Sequence, residues 1–296
     1  MVHAEALRNR FRIERELGHG GMGRVYLAHD LEHNRRVALK ILKPAVAAVL
    51  GPERFLREIR ITGRLQHPNI LPLLDSGVSG EVHWYSMPFV EADSLRERLA
   101  FAGNRLGLEQ VITIGRQIAA ALDYAHAAGV VHRDVKPANI LLEGDHAWIA
   151  DFGLARMAAG DADSPITSGS LVVGTPFYMS PEQARGGGTP VDSRTDVYSL
   201  GCVLYEMLAG EPPFNGPTRE SILSRHALDP VPPIVTVRPE VGRGADEVLR
   251  TTLAKSPAER FATAGQTLSA LEVALRGSKR PTPLPDRFVR DEDSAP

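Results

Sequence analysis

The segment His132-Arg133-Asp134-Val135-Lys136-Pro137-Ala138-Asn139, followed after a Glu143-Gly144-Asp145-His146 turn by Asp151-Phe152-Gly153, decides how the rest of the 296-residue chain is read. The turn is flanked by short apolar runs at 140–142 and 147–150, the pattern of a hairpin. An Asp, an Asn and a second Asp in short loops beside that hairpin form one oxygen-rich pocket. Mg²⁺ takes such carboxylate and carbonyl oxygens and shares them with substrate phosphates. In that setting Asp134 can accept the proton of an attacking hydroxyl, and Lys136 can neutralise charge on a transferring group. Each residue alone is an ordinary polar loop residue; the order and spacing of the whole set carry the chemistry.

Working back toward the N-terminus, a second constellation appears. Phe11-Arg12-Ile13-Glu14-Arg15-Glu16-Leu17 alternates in polarity like a strand and breaks at Gly18-His19-Gly20-Gly21-Met22-Gly23. Arg24-Val25-Tyr26-Leu27-Ala28-His29 resumes the strand, so Gly18, Gly20 and Gly23 occupy a hairpin turn. A strand–glycine–strand order disfavours a dinucleotide-binding fold, which needs a helix after the glycines. Glycines let backbone approach a phosphate chain closely. Val37-Ala38-Leu39-Lys40 lies on the next strand. Only five of the 34 basic residues are lysine: Lys40, Lys43, Lys136, Lys255 and Lys279. A chain that writes nearly every cation as arginine keeps lysine where a compact ammonium is needed. Lys40 under a glycine flap can reach nucleotide phosphates if an acidic partner holds it, and Glu58 on the following helix is the candidate.

Composition bounds the alternatives. Hydrophobic content of 43%, charged content of 24% and a formal net charge of −2 describe a soluble globular chain and argue against a general nucleic-acid partner. Cys202 is the single cysteine, which excludes an intramolecular disulfide and a cysteine-rich metal site. The first twelve residues carry charges throughout and lack the apolar core of a signal peptide. No run approaches 18 apolar residues, so no membrane segment is expected. The expected location is the cytoplasm, as a free chain or as the cytoplasmic part of a longer, membrane-anchored or multidomain protein.

The order of elements predicts an α+β chain with a small β-rich first part and a larger helical second part. After the three strands, residues 52–65 read as a helix with Phe55, Leu56, Ile59 and Leu65 on one side. Strands are expected at 70–74 and 82–87. Ser94-Leu95-Arg96-Glu97 carries a capping-box pattern, 109–129 a long helix, and 197–208 an apolar one that buries Cys202. Residues 153–182 lack periodicity, the length of loop that is functional or disordered. The divisions are 1–90, 91–276, and a tail at 277–296 containing Pro281, Pro283, Pro285 and Pro296 among charges.

These motifs together resemble the eukaryotic-type protein kinases, over residues 11–275. Gly-His-Gly-Gly-Met-Gly, Ser180-Pro181-Glu182-Gln183 and the Arg/Ala/Gly-rich composition are similar to the bacterial Ser/Thr branch. Lys136, two residues after Asp134, is similar to Ser/Thr kinases, where tyrosine kinases have alanine. The resemblance implies a bilobal fold, ATP and Mg²⁺ (or Mn²⁺) as cofactors, protein substrates bearing Ser or Thr, and activation through autophosphorylation, with a homodimer as a route to it. It implies a glycine-rich loop from Leu17 to Val25, with Val25, Ala38 and Leu141 sandwiching adenine. Lys40 would bind the α- and β-phosphates and pair with Glu58. Met87 matches the gatekeeper, with the Pro88 carbonyl and the Val90 amide addressing the adenine edge. Asp134 would be the catalytic base, Lys136 the γ-phosphate contact, and Asn139 and Asp151 the metal ligands. Glu182 would pair with Arg260, Asp196 would hold the catalytic-loop backbone, and His132 would pack behind Phe152.

In the same resemblance, 153–182 is the activation segment. Thr167, then Ser168 and Ser170, match the phosphorylated stretch, Arg133 would receive the phosphate, and Thr175 matches the substrate-side threonine. Two positions depart from the pattern. Pro88 stands where many relatives have Glu, and proline keeps the carbonyl. Thr62, four after Glu58, stands where many active relatives place a larger apolar residue, which implies a Lys40–Glu58 pair conditional on a partner. A scaffold that has lost catalysis would lack one of Lys40, Asp134, Asn139 or Asp151, and all are present. A small-molecule phosphotransferase would not be expected to carry Gly174-Thr175-Pro176 with Ser180-Pro181-Glu182.

Overall fold

Strand periodicity on the third strand sets the architecture. In the computed structural model, which describes residues 6–152, 176–185 and 191–278, β1 (Phe11–His19), β2 (Gly23–Asp30) and β3 (Arg35–Leu42) form an antiparallel meander. β4 (Asp75–Ser79) and β5 (Val82–Pro88) complete a sheet of order β1-β2-β3-β5-β4. Successive side chains on a strand point to opposite faces. Val37, Leu39 and Ile41 therefore pack with Phe11 and Trp84 on one face. Ala38 and Leu42 pack on the other with Tyr85, Met87, Phe55 and Ile59. Lys40 shares the parity of Ala38 and Leu42, so alternation alone commits its ammonium to the helix side of the sheet.

Two helices in tandem follow β3: α1 (Pro44–Leu50) and α2 (Pro52–Thr62). Gly51 joins them at φ +69°, ending one and preceding the proline that opens the other. The sequence reading contained only the second. That helix stops at Thr62, short of residue 65, where the bonds tighten: the Arg64 and Leu65 N–H groups donate three residues back, to the Ile61 and Thr62 carbonyls. The strand expected at 70–74 is corrected to β4, which starts at Asp75. Pro72 lacks an N–H for a ladder, and the flanking amides make single bonds elsewhere, Leu71 to the Ile149 carbonyl and Leu74 to that of Ser86.

The second part is helical around a small sheet of β6 (Asp93–Ser94), β7 (Ile140–Glu143) and β8 (His146–Ile149). Its helices are α3 (Leu95–Phe101), α4 (Leu108–Ala127), α5 (Pro181–Arg185), α6 (Ser193–Ala209), α7 (Arg219–Leu228), α8 (Ile234–Val237), α9 (Gly242–Thr252) and α10 (Ala264–Ser278). The Ser94–Glu97 capping box is present at the start of α3. α6 is buried on nearly all sides, which makes it the axis of the helical core. It includes Cys202, whose thiol is pushed well above its ordinary range by burial. α6 begins earlier than expected because Asp192 caps it by accepting from the Arg194 N–H. α10 runs to Ser278, beyond the boundary drawn at 276. No helix among the described residues is long and apolar enough to cross a membrane.

The two parts meet along a backbone seam. Ile70 bridges Ile149 in parallel, with Leu71 N–H donating to the Ile149 carbonyl and Ile149 N–H donating to that of Asn69. The buried Asn69 amide adds bonds to the Ala147 carbonyl and to Gln117. This seam fixes the end of β8, and with it Asp151, against the five-stranded sheet. Trp148, on β8, packs into the apolar cluster of that sheet, where it covers the surface between the lobes.

Candidate active site

The catalytic loop is held by a carboxylate that lies outside it. Asp196 on α6 is fully buried. Its Oδ2 accepts from the His132 N–H and from His126 Nε2, and its Oδ1 accepts from the Arg133 N–H, each at 2.7 Å. Arg133 takes φ +67°, a left-handed conformation that a side-chain-bearing residue adopts at a cost of roughly 1–2 kcal/mol. The bond from its N–H to Asp196 and the bond from Gln183 Nε2 to its carbonyl (2.9 Å) hold that turn on both sides. His132 accepts from the Asp134 N–H through Nδ1 and donates from Nε2 to the Ala150 carbonyl, with its ring 4.5 Å from that of Phe152. It is a scaffold residue behind Phe152, as expected.

Asp134, Lys136 and Asn139 converge on one side of this loop. Lys136 Nζ donates to Asp134 Oδ2 at 2.6 Å. Asn139 Nδ2 donates to the Asp134 carbonyl and, at 3.2 Å, to Asp134 Oδ2. The Asn139 amide oxygen and Asp134 Oδ1 thus remain as oxygens that the loop itself does not use. Asn139 is tied to the second acidic residue through the Ala150 N–H, which donates to its carbonyl at 2.9 Å. Asp151 follows at φ +67°. Burial disfavours its charge, yet the Lys40 ammonium and the hydrogen bonds from Lys40 and Tyr85 outweigh that penalty and hold the carboxyl below the usual range. Asn139 and Asp151 supply two hard oxygen donors on the floor of the cleft, and this donor set fits a Mg²⁺ that takes its other oxygens from phosphates and water.

The structure departs from the sequence reading at Lys40. Its Nζ donates to Asp151 Oδ2 at 2.6 Å, where a pair with Glu58 was expected. Glu58 on α2 is buried, and its Oε1 accepts from Arg57. The backbone of α2 places Glu58 and Thr62 one turn apart, and the Thr62 hydroxyl donates to the Glu58 carbonyl at 3.1 Å. A short, self-satisfied side chain at 62 leaves the floor of the cleft to Tyr85, whose hydroxyl donates to Asp151 Oδ1 at 2.6 Å.

The residues expected to enclose adenine do come together. Leu17, Val25, Ala38, Met87, Val90 and Leu141 belong to one apolar cluster. Met87 pairs with Ala38 and Pro88 with Val37 at the end of β5 that leads into the second lobe. Gly18 pairs with Val25 across the β1–β2 turn, and the Gly20 N–H donates to the Gly23 carbonyl. The three glycines differ in what requires them. A Cβ on Gly23 would lie 2.2 Å from the Ile41 carbonyl oxygen, whereas one on Gly18 or Gly20 would meet nothing within 4 Å. Protein packing demands Gly23, and it leaves open space over the turn at the other two.

Beneath the loop, Glu182 on α5 and Arg260 form a buried bidentate pair, both bonds at 2.8 Å, with Thr195 Oγ1 also donating to Glu182. Burial opposes the Glu182 charge and Arg260 overrides it, so its carboxyl sits below the ordinary range. Thr167, Ser168, Ser170 and Thr175 lie outside the described residues, as does the tail from 279 onward. Sequence reasoning missed Tyr85, Gln183, His126 and Asn69. Tyr85 had a legible signal, since it stands two residues before Met87 on a strand and shares its face.

A five-stranded sheet packed on a helical lobe, with two loop carboxylates and an amide gathered where the two meet, defines the protein kinase class of fold. The match to known proteins agrees. Residues 11–270 match the family described as protein kinase domain, and the chain belongs to that family. It is 41% identical over 273 residues to serine/threonine-protein kinase PknD of Mycobacterium tuberculosis, covering 91% of this chain and 40% of that one. It is 39% identical over 276 residues to PknB of the same organism, covering 90% and 43%. The chain thus spans about two-fifths of the length of these curated relatives. Among solved structures, the PknI kinase domain of M. tuberculosis superposes with a TM-score of 0.70 at 32% identity, covering 89% of this chain and 95% of that one. The fold is the bilobal α+β fold of protein kinases.

Proposed function

We propose that this chain is a serine/threonine protein kinase that transfers the γ-phosphoryl group of ATP to protein hydroxyls. The observation that supports it best is the convergence of Asp134, Lys136, Asn139, Asp151 and Lys40 on one cleft floor. Phosphoryl transfer needs little covalent help from the protein, so positioning and charge stabilisation supply the rate. Asp134 accepts the proton of the substrate hydroxyl through Oδ1, while Lys136, already on Oδ2, offsets charge on the transferring group. Lys40 leaves Asp151 to hold the α- and β-phosphates and takes Glu58 as its partner in that state. Asn139 and Asp151 would hold Mg²⁺, which when bound neutralises charge on the β- and γ-phosphate oxygens. Mn²⁺ would suit the same donors. Leu17, Val25, Ala38, Met87, Val90 and Leu141 enclose the adenine, with the Pro88 carbonyl and Val90 N–H at its edge. Gly18 and Gly20 admit the phosphates under the turn.

Regulation belongs to the same reading. Thr167 is the first candidate for autophosphorylation, then Ser168 and Ser170; a phosphate adds about −1.5 to −2 charge, and Arg133 is the receiver. Thr175 is the substrate-side threonine of this reading. The chain works in the cytoplasm, free or as part of a longer membrane-anchored or multidomain protein, and a homodimer promotes the Lys40–Glu58 pair. Incubation with Mg²⁺-ATP and phosphosite mapping by mass spectrometry, beside Asp134→Asn, tests this. Phosphate at Thr167 or its neighbours in the wild type alone is the expected result. Lack of incorporation under forced dimerisation with a generic acceptor protein, despite ATP binding, would refute it in favour of a scaffold.

A further inference from the structure

Tyr85 has no part in the chemistry above, yet it holds one of the two oxygens that matter most. In the β3–β5 register it stands directly opposite Lys40. Its side chain is fully buried, and its hydroxyl donates to Asp151 Oδ1 at 2.6 Å while Lys40 donates to Oδ2 at 2.6 Å. One carboxylate is therefore clamped at both oxygens by neighbouring strands of a single sheet.

The two clamps are not equivalent. Lys40 is a point charge on a flexible four-carbon stem and can swing to a phosphate. The Tyr85 ring turns about two torsions only and is packed among Phe55, Ile59, Leu71 and Met87, so its hydroxyl stays where the sheet puts it. Room for the ring comes from position 62. Thr62 and Tyr85 line the same small cavity with Ile70, Leu73 and Phe152, and a larger apolar side chain at 62 would claim that volume. Asp151 itself sits in the left-handed backbone region, where a side-chain anchor offsets the strain.

We propose that Tyr85 is a positioning residue for Asp151: it ties Oδ1 to the sheet in every state, so that Oδ2 alone exchanges, carrying Lys40 at rest and a divalent cation once Lys40 has moved to phosphate. The inference rests on the kinase reading, in which Asp151 binds metal. Partners that hydrogen-bond a ligating carboxylate typically account for a 10–100-fold difference in metal affinity.

The test is nucleotide binding, not turnover. A fluorescent ADP analogue is titrated into wild type, Tyr85→Phe and Trp84→Phe, first in EDTA and then across a range of MgCl₂. Trp84 lies on the opposite face of β5 against Phe11 and serves as the packing control. The expected result for Tyr85→Phe is unchanged affinity in EDTA, which also reports a folded cleft, and a Mg²⁺ requirement for half-maximal tight binding raised about 10–100-fold. Trp84→Phe should match wild type in both. A Mg²⁺ requirement unchanged in Tyr85→Phe would overturn the proposal by showing that the hydroxyl only fills space. A lowered requirement would overturn it by showing that the hydroxyl competes with the cation. A wild type whose nucleotide binding ignores Mg²⁺ would instead remove the kinase reading, and the role of Tyr85 with it.

Discussion

Replacing Asp196 by asparagine keeps the shape of the side chain and removes its charge and one acceptor. Asp196 takes three hydrogen bonds at 2.7 Å in a site with no solvent access. The amide has one oxygen, and its less costly orientation keeps that oxygen on His132 N–H and His126 Nε2, turning the NH₂ toward the Arg133 N–H. Two bonds then weaken from charge-assisted to neutral, a loss of about 1 kcal/mol each, and the third, about 1.5–3 kcal/mol, becomes a donor–donor contact. The sum is about 3.5–5 kcal/mol. At about 2–4 °C per kcal/mol for a domain of this size, the thermal midpoint should fall by roughly 7–20 °C. Arg133 then loses the anchor that keeps its φ at +67°, and Asp134 moves with it. Displacement of a reacting group by an ångström can reduce rate on the order of 10²-fold. Scanning calorimetry and phosphotransfer assays well below the lowered midpoint should show kcat falling far more than the ATP KM rises. A midpoint within 2 °C of wild type, with turnover within about twofold, would refute the reasoning that one buried carboxylate sets the loop.

Glu182→Gln should destabilise the helical lobe by about 3–5 kcal/mol, because it strands a guanidinium with no solvent access, and chemical denaturation midpoints would register it. Gly23→Ala places a Cβ 2.2 Å from a backbone oxygen; overpacking of this kind costs about 1–3 kcal/mol, and both the thermal midpoint and nucleotide affinity should fall, whereas Gly20→Ala should leave the midpoint unchanged. Burial first and Lys255 second push His226 down to about 4. Its neutral form is favoured in the fold, so its contribution is complete above the unfolded value near 6.5 and is lost as pH falls toward 4, about 3 kcal/mol in all. His226→Gln, which loses the Tyr198 hydroxyl contact, should be less stable than wild type at pH 7, with the gap closing between pH 6.5 and 4 in urea titrations.

The legible parts of this protein are those where chemistry and chain order coincide. Asp134, Lys136 and Asn139 sit within one short loop, so their convergence needs little more than that loop's own turn. The same holds for the glycine hairpin and for the Ser94–Glu97 cap. Elements went astray where a single residue overruled a pattern: Pro72 moved the fourth strand to Asp75, and Gly51 split off a helix that periodicity over 52–65 did not include. The Lys40–Glu58 pair was expected from resemblance, and the partner found is Asp151, since a lysine stem reaches whichever carboxylate lies nearer in the state described.

The sequence by itself determined the class, the β-then-α order, the chemical groups of the cleft and the face of β3 that carries Lys40. These follow from local rules: period-two alternation, glycine at turns and the close spacing of loop ligands. The tertiary structure decided which groups touch. Asp196 reaches His132 and Arg133 from a helix more than sixty positions away, and Tyr85 reaches Asp151 across the seam between the lobes. Such contacts depend on how sheet and helices pack as bodies, with the small side chain at Thr62 deciding what fills the space between them. No local pattern encodes a distance between residues that only the packed core brings together.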